Sequence, residues 1–215
     1  SSSAASDVYK RQDRNGIKFY RPDGEILKDD EPGILAQPVD NGGWDESGII
    51  ADLAALPAPL DISQAYVARY VGVFGRDALK GYRVGVYQHS AVGRDILVDV
   101  LAAMGGDAVQ LGRSDRFISV DTEAVRPEDI LLARQWAAEH GLDAIASTDG
   151  DSDRPLLADE HGEWLRGDLL AMLCAAELGM QTVITPVSSN SVAELSGLFA
   201  QVERGIGKPG GHGRR

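Results

Sequence analysis

Leu142-Asp143-Ala144-Ile145-Ala146-Ser147-Thr148, followed at once by Asp149-Gly150-Asp151-Ser152-Asp153-Arg154, is the stretch on which the reading of this chain turns. Its first half is a short, mostly apolar run and reads as a buried strand. Its second half sets three carboxylates at i, i+2 and i+4, which no comfortable buried strand would carry. On a helix they would span a wide arc and repel one another. In an extended or turning loop, alternate side chains can converge on one point. Convergent negative charges need a cation, and an all-oxygen donor set favours a hard one such as Mg²⁺. A loop hanging from the C-terminal end of a strand sits where open α/β sheets usually place ligands.

Two other readings compete. One is a solvated Asp-rich turn. The other is an EF-hand loop, since Asp149, Asp151 and Asp153 take positions one, three and five and Glu160 falls at position twelve. The glycine that an EF-hand needs at position six is Arg154 here, and a strand rather than a helix precedes the loop. The EF-hand is rejected.

Outward from this loop the chain alternates strands and helices. Towards the N-terminus, Pro127 opens a helix that runs to His140 and stops at Gly141. Before it come a strand over Ala108 to Leu111, a helix from about Gly93 to Met104 ended by Gly105-Gly106, and a strand over Arg83 to Tyr87. Asp61 is the expected N-cap of a helix reaching about Leu79, with Ile62, Tyr66, Val67, Tyr70, Val71 and Phe74 at three- and four-residue steps. Residues 29 to 58 are rich in Asp, Gly and Pro and read as loops with a helical turn or two. Ile17 to Tyr20 and Glu25 to Leu27 flank Pro22-Asp23-Gly24, a β-hairpin pattern. After the acidic loop, Pro155 to Ala158 and Glu163 to Leu165 form a second hairpin candidate. A helix over Asp168 to Leu178, a strand over Gln181 to Thr185 and a helix capped near Ser189 follow. Short connections between alternating strands and helices mean α/β layering.

Composition narrows the function. The chain has 215 residues, 43% hydrophobic and 25% charged, with ample core material. A net charge of −12 speaks against a nucleic-acid or anionic-membrane surface, but not against a phosphorylated substrate beside a metal and a few arginines. No apolar run is long enough to span a membrane. The single cysteine, Cys174, cannot form an internal disulfide and is expected in the core; a reducing cytoplasm fits. At the termini, Ser1 to Ser6 is low-complexity and Asp7 to Gln12 reads like a translated sequencing adapter, so residues 1–12 are expected to be a non-native leader. Residues 210–215 are expected to be a frameshifted tail.

Two cationic residues complete the constellation. Arg154 can pair with one of the preceding aspartates or hold a phosphate oxygen bidentately beside a metal. A divalent ion and an arginine at a strand end are the equipment of phosphoryl transfer. Lys18 alternates with Ile17 and Phe19, so it lies on the other strand face; alone it reads as an exposed lysine. His89-Ser90 resembles half a nucleophile pair but reads as a polar strand end. Gly205-Ile206-Gly207-Lys208-Pro209 superficially resembles a P-loop, yet the Ser or Thr after Lys is missing and no strand is expected before it.

With these residues in view, the chain resembles the α-D-phosphohexomutase family, that of phosphomannomutase and phosphoglucomutase. The family's D-G-D-x-D-R metal loop is matched by Asp149 to Arg154, and its N-G-x-K by Asn15-Gly16-Ile17-Lys18. His89 to Asp95 and Asp121 to Val125 look most like a bacterial phosphomannomutase-type branch. The resemblance spans about 13 to 209. It implies three-layer αβα mixed-sheet domains: residues 13–60 as the end of domain 1, 61–166 as a complete domain 2, and 167–209 as the beginning of domain 3. It further implies that Asp149, Asp151 and Asp153 hold Mg²⁺, that Arg154 stabilises charge near it, and that Lys18 assists proton transfer at a sugar hydroxyl. The substrate implied is a phosphosugar, with no nucleic acid or membrane. The family's nucleophilic serine would fall at position 8, inside the adapter-like leader, so the sequence as it stands is expected to be an inactive fragment. Phosphoglucomutase and phosphoglucosamine mutase remain alternatives within the class, and a metal-dependent phosphatase or an ion-binding module outside it.

Overall fold

The structure, a computed structural model, describes residues 4–6, 17–22, 24–38 and 60–205, with isolated positions 43, 47, 55 and 58 between them. The chain divides into two compact units, the change falling between Ile62 and Ser63. In the first, β1 (Ala4–Ser6) pairs antiparallel with β2 (Ile17–Arg21), and β2 pairs with β3 (Gly24–Glu25). The β2–β3 pairing is the hairpin expected around Pro22-Asp23-Gly24. A 3₁₀ turn at Lys28–Asp30 and a short helix α1 (Glu31–Leu35) follow.

The second unit carries the acidic loop. It begins with α2 (Ser63–Phe74), then β4 (Arg83–Tyr87), α3 (Arg94–Ala103), β5 (Asp107–Leu111), α4 (Pro127–His140), β6 (Ala144–Thr148), β7 (Pro155–Ala158) and β8 (Trp164–Leu165). It continues with α5 (Gly167–Glu177), β9 (Thr182–Pro186), α6 (Val192–Leu195) and β10 (Gln201–Gly205). Helix α2 stops well short of Leu79 because Gly75 takes a left-handed conformation at φ 94°, which ends a helix even where apolar spacing continues. Helix α4 keeps its expected bounds. Pro127 supplies a first-turn residue that needs no N–H partner, and Gly141, at φ 59°, closes the C-terminus with its N–H bonded to Ala137.

Five strands form one mixed sheet in the order β5-β4-β6-β7-β8. β5, β4 and β6 are parallel, whereas β7 and β8 return antiparallel. The chain therefore leaves β4 outward to β5 and then crosses back over β4 to β6. Right-handed crossovers in opposite directions place α3 and α4 on opposite faces of the sheet, giving three layers. The alternation of β4 agrees. Tyr87 joins Ala133 and Ala137 of α4, Ile145, Leu156 and Ala158 in one buried cluster. Val84 and Val86, one residue out of phase, are buried on the other side, where α3 packs. A parallel strand covered on both faces is buried throughout, and β4 is buried from Val84 on.

One polar network crosses the α4 side. Tyr87 donates its hydroxyl proton to Asp129 Oδ1 at 3.0 Å, and Arg126 grips both oxygens of Asp129 at 2.7 and 2.8 Å. Asp129 is only 1% exposed, and such a carboxylate persists because every oxygen is paired. Burial, with the Asp129 charge beside it, pushes the Tyr87 hydroxyl well above its usual range, so it stays a donor.

Two expectations are corrected. Cys174 is exposed on α5 rather than in the core. Strand β10 runs directly into Gly205 and pairs parallel with β9, so a strand does precede the 205–209 segment. The segment still lacks the hydroxyl residue after Lys208 that a P-loop requires, and residues 206–209 lie outside the described residues.

Candidate metal centre

β6 and β7 pair as an antiparallel hairpin whose last pair is Thr148 with Pro155, so Asp149 to Arg154 is the hairpin loop. Asp149 N–H donates to the Arg154 carbonyl at 3.2 Å, closing the loop, and Ser152 N–H donates to the Asp149 carbonyl at 3.2 Å. Ser152 takes φ 64°, an uncommon conformation for a residue with a Cβ. That reversal between the second and third aspartate brings the carboxylates together. One oxygen from each of Asp149, Asp151 and Asp153 lies within 4.8 Å of the others. Asp149 is buried, Asp151 half-buried and Asp153 exposed. Among the described residues, Glu160 is not part of this group; its carboxylate lies 3.6 Å from His161 Nε2 on the β7–β8 turn. With a strand before the loop, the EF-hand is excluded on geometry.

The donor set fits a small hard cation. Oxygens about 2 Å from an octahedral Mg²⁺ stand roughly 3 to 4 Å apart, a spacing compatible with three carboxylate oxygens that all lie within 4.8 Å of one another. Three carboxylates with nothing softer among them suit Mg²⁺ rather than Zn²⁺ or copper.

Burial pushes the Asp149 carboxyl up to about 6, against the lowering effect of the Arg154 N–H that donates to its Oδ1 at 3.2 Å; neighbouring Asp151 and Asp153 add to the rise. A proton therefore competes with a cation at Asp149 in an accessible pH range. Below pH about 6 the apparent divalent affinity is expected to fall as the carboxyl protonates, approaching tenfold per pH unit. Mn²⁺ titrations at pH 7.5 and 5 check this, and a pH-independent affinity would contradict it.

Arg154 is half exposed and reaches away from the loop. Its Nη1 donates to Glu123 Oε1 at 3.1 Å, while Nε lies 4.0 Å from Asp153. The expected pairing with an aspartate of the loop is thus the weaker of its two contacts. Glu123 stands in an Asx turn, in which Asp121 Oδ1 accepts the Glu123 N–H at 2.8 Å. An open cleft of about 300 Å³ runs between this segment and the loop, with Asp121 and Thr122 on one side and Asp149, Gly150 and Arg154 on the other. An anion in that cleft would meet the arginine and any cation held by the aspartates together.

Lys18 lies on β2 in the first unit; its side chain is outside the described residues. His89, just beyond the end of β4, is fully buried, and its Nε2–H donates to the Thr148 carbonyl at 2.9 Å. Ser90 Oγ accepts the Ile118 N–H at 2.8 Å and donates to its carbonyl at 3.3 Å, so it is a structural brace. Nothing in the residue types signals that this turn touches the acidic loop. Val92 N–H donates to the Gly150 carbonyl at 3.0 Å and Gly93 N–H to Ser152 Oγ at 2.9 Å. Two of these three contacts use backbone donors, which leave no mark in residue type.

Among the described residues no helix is long and apolar enough to cross a membrane. Residues 64–162 match the family model described as phosphoglucomutase/phosphomannomutase, alpha/beta/alpha domain II. The phosphomannomutase of Salmonella muenchen is 46% identical over 198 residues, covering 92% of this chain and 40% of that protein. The phosphomannomutase of Sinorhizobium fredii is 42% identical over 197 residues, 92% of this chain and 42% of that protein. The chain thus spans about two fifths of the length of the curated relatives it matches. A solved phosphoglucomutase/phosphomannomutase family protein from Burkholderia thailandensis superposes with a TM-score of 0.68 at 19% identity, covering 94% of this chain and 44% of that one, a likeness of fold. With the three-layer sheet, the acidic hairpin loop at its strand ends and the match over 64–162 in agreement, the chain belongs to the phosphoglucomutase/phosphomannomutase family.

Proposed function

We propose that this chain supplies the metal-binding domain of a phosphohexose mutase, one that interconverts hexose 6-phosphate and hexose 1-phosphate through a phosphoserine enzyme and a bisphosphorylated sugar. The observation that carries this is the convergence of Asp149, Asp151 and Asp153 at a strand end with Arg154 beside them. In this reading Asp149, Asp151 and Asp153 hold Mg²⁺, which when bound neutralises charge on a phosphoryl group under attack. Arg154, loosely held by Glu123 and half exposed, is placed to exchange that partner for a phosphate oxygen. Lys18 moves a proton at the sugar hydroxyl, a role that rests on the family resemblance. Mannose is the preferred sugar because the two close relatives are phosphomannomutases; glucose and glucosamine phosphates are the alternatives. Residues 61–166 are read as the second domain and 167–209 as the start of the third, and the setting as cytoplasmic.

The test is ³¹P NMR of mannose 6-phosphate incubated with Mg²⁺ and a full-length protein carrying these residues. Appearance of mannose 1-phosphate without net inorganic phosphate is expected. Net phosphate release would instead indicate a phosphatase, and no reaction with mannose, glucose or glucosamine phosphates would overturn the proposal.

A further inference from the structure

We infer that the turn after β4, residues 89–93, is the template that holds the metal loop in its ligating shape, with His89 and Gly93 as positioning residues for the three aspartates. This rests on the metal reading above and extends it to residues that no aspartate motif contains.

The topology brings the two segments together. β4 and β6 are neighbouring parallel strands, so their C-terminal ends lie side by side, at the point where the order of connections reverses. Three hydrogen bonds then cross from the turn to the loop, spaced along it. His89 Nε2–H holds the Thr148 carbonyl at the loop's entry, Val92 N–H holds the Gly150 carbonyl between the first two aspartates, and Gly93 N–H holds Ser152 Oγ between the last two. Ser152 Oγ also accepts from Thr148 Oγ1 at 3.1 Å, and Thr148 Oγ1 lies 2.9 Å from the Asp149 carbonyl. Each aspartate is therefore flanked by backbone or side chain that the turn, or a residue bound to the turn, fixes.

Two features make this arrangement costly for stability alone. His89 sits at φ 31° with 0% exposure, and its buried Nδ1 has no hydrogen-bond partner among the described residues. Strained backbone and an unmatched polar atom in one residue persist where surrounding structure needs them. Gly93, in contrast, has an ordinary backbone at φ −91°, ψ 7°, which any residue can adopt. It is a glycine for want of room: a Cβ there would lie 2.8 Å from Ser152 Oγ and 2.9 Å from Ser152 Cβ. The turn thus presses on the residue whose left-handed conformation brings Asp151 and Asp153 to one side.

Supporting residues around a metal commonly change its affinity by about tenfold to a hundredfold. The test uses Mn²⁺ alone, titrated into the whole chain and followed by electron paramagnetic resonance, with Gly93→Ala, Ser152→Ala, His89→Leu and His89→Gln compared. Gly93→Ala, Ser152→Ala and His89→Leu are expected to raise the Mn²⁺ dissociation constant about tenfold or more. His89→Gln, which keeps an N–H donor, is expected to restore most of the affinity. Thermal unfolding in EDTA should be little altered by Ser152→Ala, which separates positioning from folding, whereas Gly93→Ala, whose Cβ would meet Ser152, is expected to lose some stability as well. Bound Tb³⁺ should carry more water in these two variants, read from its luminescence lifetimes in H₂O and D₂O. Should His89→Leu fail to fold, Gly93→Ala and Ser152→Ala decide the matter. Affinities within twofold of the unaltered chain in both, with Asp149→Asn abolishing binding, overturn the template and leave the metal centre standing. An unaltered chain that binds no Mn²⁺ overturns both.

Discussion

Asp149→Asn is expected to lower Mn²⁺ affinity by at least about a hundredfold, the loss of a direct ligand exceeding that of a supporting one, while making the metal-free chain more stable near neutral pH. The two effects share one cause. Asp149 is buried beside two more carboxylates, and its carboxyl is raised to about 6. Asparagine keeps an acceptor for the Arg154 N–H and removes the buried charge. The sign of the pH dependence follows. The folded chain holds this proton up to about pH 6, whereas an unfolded Asp releases it near 4, so ionisation costs the native state stability as pH rises through that window. The advantage of Asp149→Asn should therefore be present at pH 7.5 and vanish by pH 4. Urea unfolding in EDTA at both values measures it. A variant less stable than the parent at pH 7.5 would show that the carboxylate supports the fold instead of opposing it, as sites kept for function commonly do.

Gly162→Ala carries the largest expected loss of stability. Gly162 lies on the β7–β8 turn at φ 75°, and a Cβ there would meet the Ala133 carbonyl carbon and oxygen and the Arg134 nitrogen at 2.5 Å. All three are backbone atoms of α4, which cannot swing aside as a side chain can. Left-handed strain costs about 1–2 kcal/mol and overpacking about 1–3 kcal/mol, so a loss of about 3 kcal/mol is expected, near 10 °C in thermal midpoint for a unit of this size. The turn is otherwise well made: Asp159 Oδ1 accepts the N–H groups of His161 and Glu163 at 2.9 Å each, and Arg134 pairs with Glu163. A midpoint within 2 °C of the parent would contradict the close approach.

Where local chemistry sets a boundary, the residues alone reveal it. β4 and α4 have the expected bounds because alternation, Pro127 and Gly141 act within a few positions of the feature they determine. Helix α2 ends before Leu79 because the left-handed Gly75 interrupts a spacing of apolar residues that continues past it. β10 escapes notice because Gln201-Val202-Glu203-Arg204-Gly205 is polar at most positions; its pairing with β9 supplies what its own pattern lacks. Cys174 is exposed although its helix is apolar, because α5 has no buried residue. The acidic loop is legible for an electrostatic reason, since three carboxylates at alternate positions have few other uses. Its surroundings are not: the Glu123 partner of Arg154 stands 31 residues away and the His89 contact 59, and nothing in the residue types announces either.

The measurement that bears most directly on the metal centre is a Mn²⁺ titration of the unaltered chain at pH 7.5, followed by displacement with Mg²⁺ and Ca²⁺. One bound Mn²⁺, displaced by Mg²⁺ and lost in Asp149→Asn, is the predicted result. No binding, or a site that prefers Ca²⁺ strongly over Mg²⁺, would contradict the account and leave the acidic hairpin as a solvated turn or a calcium-binding module.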